Sequence, residues 1–174
     1  AGFLMLIAGS KSKGAKDGDL VITSLNEQLD QRRDEMEEKV LSSCELKEVK
    51  KARKLEKKEK DKKEKKENKS KKSSKSKSKD RAAKVFVIKF QGDIQASAVS
   101  SLREQISAIC QIAKKQDEVI CCIESGGGAV HAYGLAASQL IRLKTIGLKL
   151  TVVVDKVAAS GGYLMAAVAD DLVC

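Results

Sequence analysis

The chain has 174 residues, with 34 lysines and arginines against 24 aspartates and glutamates, and a formal net charge of +10 at pH 7. The basic charge is unevenly placed: residues 1–83 hold 25 basic and 16 acidic side chains, whereas residues 84–174 hold 9 and 8. Five cysteines without a regular spacing and a single histidine exclude a disulfide-stapled scaffold and a His/Cys metal site. Because phosphate-loop and complete dinucleotide-binding motifs are also missing, the sequence predicts no cofactor and no metal.

The first nine residues are uncharged and mostly apolar, and lysines follow at positions 11, 13 and 16. Nine residues cannot cross a bilayer, which takes about 20 residues of helix. We therefore interpret residues 1–10 as the end of a transmembrane anchor that begins before Ala1, with the lysines on the cytoplasmic side. A cleaved signal peptide is the alternative, but no small-residue cleavage site precedes a mature domain here. This interpretation makes the lipid bilayer an expected partner.

Residues 11–56 are predicted to form a charged helical stalk. From Leu20 to about Leu55 the composition favours helix, and a narrow apolar seam recurs at spacings of four, seven and four residues, formed by Leu25, Leu29, Met36 and Val40. Arg32 and Arg33 interrupt the seam, so the sequence favours an amphipathic stalk over a self-associating coiled coil, the alternative.

Residues 57–83 are predicted to form a lysine-rich linker that is disordered or loosely helical. Residues 57–79 contain 13 lysines among 23 residues and no aromatic residue, and such a segment buries too little apolar surface to offset the entropy of ordering. Lysine runs can neutralise nucleic-acid phosphates. The lack of arginine and aromatic residues in this run argues against nucleic acid, and an anionic membrane surface is the favoured partner.

Residues 84–174 alternate between strand-like and helix-like patterns. Strands are predicted at 85–90, 119–123, 150–154 and near Leu172, with helices at 99–115, at 129–144 and from Gly161. The spacing of apolar residues predicts one buried face for the second helix, formed by Val130, Tyr133, Ala137, Leu140 and Ile141. Strands that are almost entirely apolar and alternate with helices indicate an α/β fold with a parallel sheet covered on both faces.

Ser160 lies where the strand that ends near Val154 breaks into the helix that starts at Gly161. A serine at such a turn presents its hydroxyl to solvent beside the free N–H groups of the helix start, which is the arrangement of a catalytic nucleophile. The alternative is that Ser160 only caps the helix.

A glycine loop, Gly126 to Gly128, follows the preceding strand, Val119 to Ile123. Because the carboxyl ends of parallel strands meet at one edge of a sheet, we expect this loop and Ser160 to face one cleft. The amides of Gly161 and of one residue of the Gly127–Gly128 pair are the candidate donors to an oxyanion. The alternative is that the glycines only permit a tight turn.

Together these motifs resemble the signal peptide peptidase family of serine peptidases, and they do so closely over residues 84–174. The resemblance rests on three runs of sequence: Glu-Ser-Gly-Gly-Gly-Ala-Val-His at 124–131, Tyr-Gly-Leu-Ala-Ala-Ser-Gln-Leu at 133–140, and Thr151 to Tyr163 with its Ala-Ser-Gly-Gly-Tyr ending. It implies that Ser160 is the nucleophile and that residues 125–128 line the oxyanion site. Gly126 stands where the family has proline.

The resemblance also implies a crotonase-like (ClpP-like) superhelix, of which residues 84–174 form the N-terminal part. The implied protein is a membrane-anchored endopeptidase of the bacterial inner membrane that acts on a peptide or protein substrate and assembles as a homo-oligomer. Two alternatives from other classes stay open. One is a crotonase-fold acyl-CoA enzyme whose oxyanion loops polarise a thioester, and the other is a non-catalytic membrane scaffold.

The general base is the least defined element of the predicted site. His131, the only histidine, falls in the first turn of a helix and is predicted to be a polar surface residue. Lys156 precedes Ser160 by four residues and is predicted to be an exposed lysine at a strand end. The resemblance implies a Ser-Lys dyad whose lysine follows the nucleophile by roughly fifty residues, beyond Cys174. The chain alone is therefore expected to be inactive.

Overall fold

The computed structural model describes residues 3–9, 20–70 and 82–174. In chain order the elements are β1 (Phe3–Gly9), β2 (Leu20–Ser24), α1 (Leu25–Val40), α2 (Ser43–Ser70), β3 (Lys84–Gly92), α3 (Val99–Ile112), β4 (Glu118–Ser125), α4 (Val130–Thr145), β5 (Lys149–Ala158), α5 (Gly161–Ala166) and β6 (Asp171–Val173). They form two compact units, one of residues 1–26 and 82–174 and the other of residues 27–81.

The first unit is built on a six-stranded sheet in the order β2-β1-β3-β4-β5-β6. Strand β2 runs antiparallel to β1, and all other neighbours are parallel. The predicted parallel α/β architecture is thus confirmed. In a parallel sheet with this connectivity, the carboxyl ends of β3, β4 and β5 lie at one edge, where loops can form a cleft.

One face of the sheet is closely covered. Along β4, buried and partly exposed side chains alternate, because successive residues of a strand point to opposite faces. The buried face packs against α3 and α4 in a single core whose largest members are Phe86, Ile88, Phe90, Leu102, Ile106, Ile109, Ile123, Tyr133, Leu140, Leu143 and Leu150. On the other face of the sheet, apolar residues such as Ile120 and Cys122 are only partly buried. Among the described residues, the prediction that both faces are covered therefore holds only for one face.

The apolar N-terminal segment is a strand, so the prediction that it ends a membrane helix was wrong for Phe3–Gly9. It pairs in parallel with β3, with Phe3 opposite Lys84 and Ile7 opposite Ile88. A run of seven apolar residues is typical of a strand in a sheet as well as of the end of a membrane helix. Pairing with the neighbouring strands gives its backbone N–H and C=O groups hydrogen-bond partners. Every helix within the described ranges is too short or too polar to cross a membrane.

The second unit is a helical hairpin of α1 and α2, joined at Leu41 and Ser42. Arg53 pairs with Asp34 and Glu37, and Lys50 Nζ lies 2.9 Å from Glu38 Oε1, so the two helices run antiparallel. Ser42 precedes α2 and is bound to Glu45 in its first turn: the backbone N–H and the hydroxyl of Ser42 both donate to Glu45 Oε2, at 2.9 and 2.7 Å, and the first of these bonds is one half of a capping box.

The boundaries predicted for the N-terminal half differ from the observed ones. Within the predicted stalk, Leu20–Ser24 is the strand β2, and the apolar seam on α1 lies at the surface, since α1 buries none of its side chains. The predicted linker is helical rather than disordered as far as Ser70, because lysine and glutamate are good helix formers even where no apolar surface is buried. The predictions for residues 10–19 and 71–81 lie outside the described residues.

Cys121 on β4 is expected to resist alkylation in the folded protein. Complete burial raises the pKa of its thiol to about 12, so almost none of it is thiolate, the reactive form, near pH 8. Treatment of native protein with iodoacetamide at pH 8, followed by peptide mass spectrometry, should modify the exposed Cys44 and leave Cys121 free. Equal rates at both cysteines would contradict the buried position, and unfolding in urea should equalise them.

Candidate active site

Ser160 occupies a strained turn between β5 and α5. Its backbone angles are φ 50° and ψ −116°, in a region that residues other than glycine rarely adopt. Its side chain is exposed and makes no capping hydrogen bond to α5. Helix capping therefore does not explain the serine, whereas a strained strand-to-helix turn with an accessible hydroxyl is the geometry of a nucleophile elbow.

The glycine loop after β4 lies directly against this turn. A Cβ added to Gly127 would lie 2.6 Å from Ser160 Cβ and 2.9 Å from Gly161 N, and Gly127 itself has φ 87°. The backbone N–H of Ala159 donates to the carbonyl of Ser125 at 3.0 Å, and this hydrogen bond joins the end of β5 to the end of β4. The structure thus brings together Ser160 and the glycines that were expected to share a cleft with it.

The amides of this loop differ in their hydrogen bonds. The N–H of Gly127 donates to Ser125 Oγ at 3.0 Å, so it is occupied inside the loop. The N–H of Gly128 donates to no residue that the structure describes, and Gly161, as the first residue of α5, has no intrahelical acceptor for its N–H. Of the three predicted donors, Gly128 and Gly161 therefore have amides free to meet an oxyanion.

Gly128 is held from its other side by the loop that follows β3. A Cβ on Gly128 would overlap the backbone carbonyl of Ile94, and the N–H of Ala129 donates to that carbonyl at 2.8 Å. Gly126, by contrast, has no atom within 4 Å of where a Cβ would lie. A side chain at position 126 would meet open space, as the proline that the family carries there requires.

Neither predicted alternative for the base contacts the nucleophile. Lys156 Nζ lies 2.8 Å from Glu124 Oε1, and the hydrogen bond and charge of Glu124 raise the pKa of Lys156. Lys156 is therefore an ammonium ion near neutral pH and has no lone pair to accept a proton. His131 is exposed near the start of α4, and no side chain in the described residues hydrogen-bonds the Ser160 hydroxyl.

An open groove of about 500 Å³ runs beside the glycine loop. It is lined by Gln91, Gly92, Asp93, Glu124, Ser125, Gly126 and Val157. These residues come from the carboxyl ends of β3, β4 and β5, where a parallel sheet places its ligand sites. Among the described side chains, no cluster of His, Cys, Asp or Glu is arranged to hold a metal ion.

Two buried hydroxyls beside the groove form a hydrogen bond that the sequence did not predict. Ser125 is 2% exposed and Tyr133 is completely buried, and their oxygens lie 2.5 Å apart. The sequence assigned Ser125 to the oxyanion loop and Tyr133 to the apolar face of its helix. The available signal was that a buried tyrosine hydroxyl needs a hydrogen-bond partner, but the partner's identity depends on tertiary structure.

A serine on a strained turn with glycine amides beside it, at the carboxyl ends of the strands of a parallel α/β sheet, is a geometry typical of serine hydrolases. Residues 1–140 match the family model described as Peptidase family S49 N-terminal, and the chain belongs to that family. Membership in this family and the observed sheet fit the ClpP-like fold that the sequence resemblance implied.

The similar curated proteins are probable proteases. The Probable protease SohB of Haemophilus influenzae is 62% identical over 94 residues, which are 54% of this chain and 27% of that protein. The Probable protease SohB of Buchnera aphidicola from Acyrthosiphon pisum is 57% identical over 95 residues, covering 55% and 28%. The aligned part thus amounts to about a quarter of each relative, and the resemblance to the signal peptide peptidase family, and to SohB within it, is confirmed.

Proposed function

We propose that this chain carries the nucleophile and the oxyanion-binding loops of a serine endopeptidase. The conformation of Ser160, with φ 50° and an uncapped, exposed hydroxyl, is the observation that supports the proposal most directly. A capping or purely structural serine gains nothing from such a strained backbone. The names of the similar proteins support a peptidase as the kind of hydrolase.

The proposed reaction is acyl transfer through Ser160. Its Oγ attacks the carbonyl carbon of a peptide bond while a base takes the hydroxyl proton, and the carbonyl oxygen becomes an oxyanion facing the amides of Gly161 and Gly128. The C–N bond then breaks, and the leaving amine receives the proton from the protonated base. Water repeats the sequence on the acyl-serine ester and releases the carboxylate product.

The base in this proposal is a lysine outside residues 1–174. Within the described residues nothing hydrogen-bonds Ser160 Oγ, and the two side chains considered from the sequence, His131 and Lys156, do not contact it. A desolvated lysine held near neutrality would complete a Ser-Lys dyad. Residues 1–174 alone are then expected to be inactive toward peptides.

The proposed partner is a peptide or protein substrate lying in the groove beside the glycine loop. Attachment to the inner membrane through residues 1–10 is not part of the proposal, because Phe3–Gly9 is a strand of the sheet. The homo-oligomeric state stays a prediction.

Substrate preference separates the proposal from its two alternatives. The full-length protein should cleave an unstructured fluorogenic peptide and leave an acyl-CoA thioester intact at the same enzyme concentration. Turnover of the thioester without peptide cleavage would favour the acyl-CoA enzyme. A lack of turnover on both, in folded full-length protein, would favour the scaffold.

Replacing Lys156 by alanine is expected to leave peptide cleavage by the full-length protein nearly unchanged. Glu124 raises the pKa of Lys156, so the lysine stays protonated through the neutral range and cannot serve as the base there. The control is Lys149→Ala at the opposite end of β5, where Lys149 Nζ lies 2.6 Å from Asp171 Oδ2. If kcat collapsed in Lys156→Ala and not in Lys149→Ala, Lys156 would be the base and the external lysine would be refuted.

A further inference from the structure

A chain of hydrogen bonds joins the glycine loop to the first turn of α4. The N–H of Gly127 donates to Ser125 Oγ at 3.0 Å, Ser125 Oγ lies 2.5 Å from the Tyr133 hydroxyl, and that hydroxyl donates to the carbonyl of Asp93 at 2.7 Å. The chain spans the ends of β3 and β4 and the first half of α4. Its two hydroxyls are closed off from solvent.

The direction of the protons follows from the groups at the two ends. The carbonyl of Asp93 can only accept, so the single phenol proton of Tyr133 points to it. The Ser125 proton therefore points to the Tyr133 oxygen, since the alternative acceptor, the carbonyl of Gly92, is farther away at 3.3 Å. Ser125 Oγ is left as the acceptor for the N–H of Gly127. All three bonds then run in one direction, and each strengthens the next.

The hydrogen bond from Gly127 to Ser125 Oγ sets the orientation of the peptide group between Gly126 and Gly127. With its N–H turned inward to Ser125, Gly127 takes φ 87° and lies against Ser160. The next amide, that of Gly128, has no acceptor among the described residues and is left to face an oxyanion. Without the bond to Ser125, nothing in the described residues holds the Gly127 N–H inward.

The ring of Tyr133 supports the other side of the site. A Cβ added to Gly161 would fall within the ring atoms of Tyr133, so the backbone that follows the nucleophile rests directly on the tyrosine. A Cβ on Gly92 would lie 2.6 Å from Ser125 Oγ, so this glycine leaves room for the hydroxyl pair. Phe90 packs edge to face against the ring of Tyr133, with the two ring centroids 6.3 Å apart.

We propose that Tyr133 is the positioning residue of this site: its hydroxyl, through Ser125, orients the glycine loop, and its ring sets the backbone of Gly161. The inference rests on the proposed function. Tyr133 holds the amides of Gly128 and Gly161 in a fixed relation to Ser160 before substrate binds. Donors fixed in advance stabilise the oxyanion without a reorganisation step.

The test uses full-length protein and three variants. Tyr133→Phe removes the hydroxyl and keeps the ring, Ser125→Ala removes the second hydroxyl and keeps the tyrosine, and Ser138→Ala removes an exposed hydroxyl elsewhere on α4, which donates to Leu135 O at 2.7 Å. For each we would measure kcat and KM for peptide cleavage, the acylation rate with a fluorophosphonate, the melting temperature and hydrogen exchange of the Gly127 amide.

Tyr133→Phe should lower kcat and the acylation rate on the order of 100-fold, because the displaced N–H donors stabilise the oxyanion of the transition state less well. KM should stay within about twofold, because the lost contact acts in the transition state rather than on bound substrate. Gly127 amide exchange should accelerate by about tenfold or more. Ser125→Ala should reproduce these changes in a folded protein, and Ser138→Ala should show none of them.

Unchanged kcat and unchanged Gly127 exchange in Tyr133→Phe and Ser125→Ala would overturn the inference while leaving the peptidase proposal intact. A fall in kcat that merely follows the unfolded fraction would overturn it as well. If the wild-type protein neither cleaves peptides nor reacts with fluorophosphonate, the proposed function fails. The exchange measurement then still decides whether Tyr133 orients the loop.

Discussion

Replacing Ser160 by alanine in the full-length protein is expected to lower kcat for peptide cleavage by about 10⁴-fold or more, because the acyl-enzyme has no other atom on which to form. The measurement is steady-state cleavage of a fluorogenic peptide, with circular dichroism and thermal unfolding to show that the variant is folded. Binding of the peptide should survive, since the glycine loop and the groove are unchanged.

The stability of the same variant separates the nucleophile from the helix-cap interpretation. A capping serine loses about 1 kcal/mol of unfolding free energy when it becomes alanine. Ser160 makes no capping hydrogen bond, so we expect a change of less than about 0.5 kcal/mol. A less stable variant with intact activity would support the cap and refute the nucleophile.

Gly127→Ala is expected to reduce kcat by about 100-fold or more. The new Cβ would lie 2.6 Å from Ser160 Cβ and 2.7 Å from the carbonyl of Ala159, and alanine at φ 87° is strained even without these contacts. The nucleophile turn or the loop must shift, and displacements of about 1 Å at a reacting centre cost rates of this order. Single-turnover acylation of Ser160 by a fluorophosphonate measures the effect directly.

The matched control for this variant is Gly134→Ala on α4. A Cβ there meets no atom within 4 Å beyond its own helix, and alanine in a helix interior is more stable than glycine by about 0.5–1 kcal/mol. We expect a higher melting temperature and unchanged acylation. Wild-type acylation in Gly127→Ala would mean that the glycine loop does not touch the reacting centre.

The C-terminal half of the fold could be predicted because its signals are local. The apolar runs that form β4 and β5 are bounded by turn residues, and the apolar residues of α4 between them recur with helical spacing. The serine at the break between β5 and α5 also follows from the order of residues alone. Parallel connectivity then brings the ends of neighbouring strands together.

The N-terminal elements could not be assigned in the same way. Phe3–Gly9 is a strand because β3 lies beside it, and the two are far apart in the chain, with Ile7 paired to Ile88. No local pattern reveals that partner, and the same seven residues fit the end of a membrane helix. In the lysine-rich segment, low apolar content left disorder and a loose helix both open. The helix propensity of lysine and glutamate agrees with the helix α2, which extends to Ser70.

The sequence predicted that the candidate residues lie close together, but it did not predict their hydrogen bonds. The sequence could not choose between Gly127 and Gly128 as the donor beside Gly161, because the choice depends on Ser125 Oγ accepting the Gly127 N–H. It also placed Val130 and Ile141 on the buried face of α4 with Tyr133, although both are exposed. Periodicity identifies a helix face but does not show how far neighbouring elements cover it.

The most direct test of the central claim is to locate the adduct of a serine-directed fluorophosphonate in the full-length protein by peptide mass spectrometry, with residual peptide cleavage measured in parallel. We expect one phosphonyl group per protein, on Ser160, and loss of cleavage in proportion to labelling. A single adduct on another residue that abolishes cleavage, or full cleavage in protein completely labelled at Ser160, would contradict it.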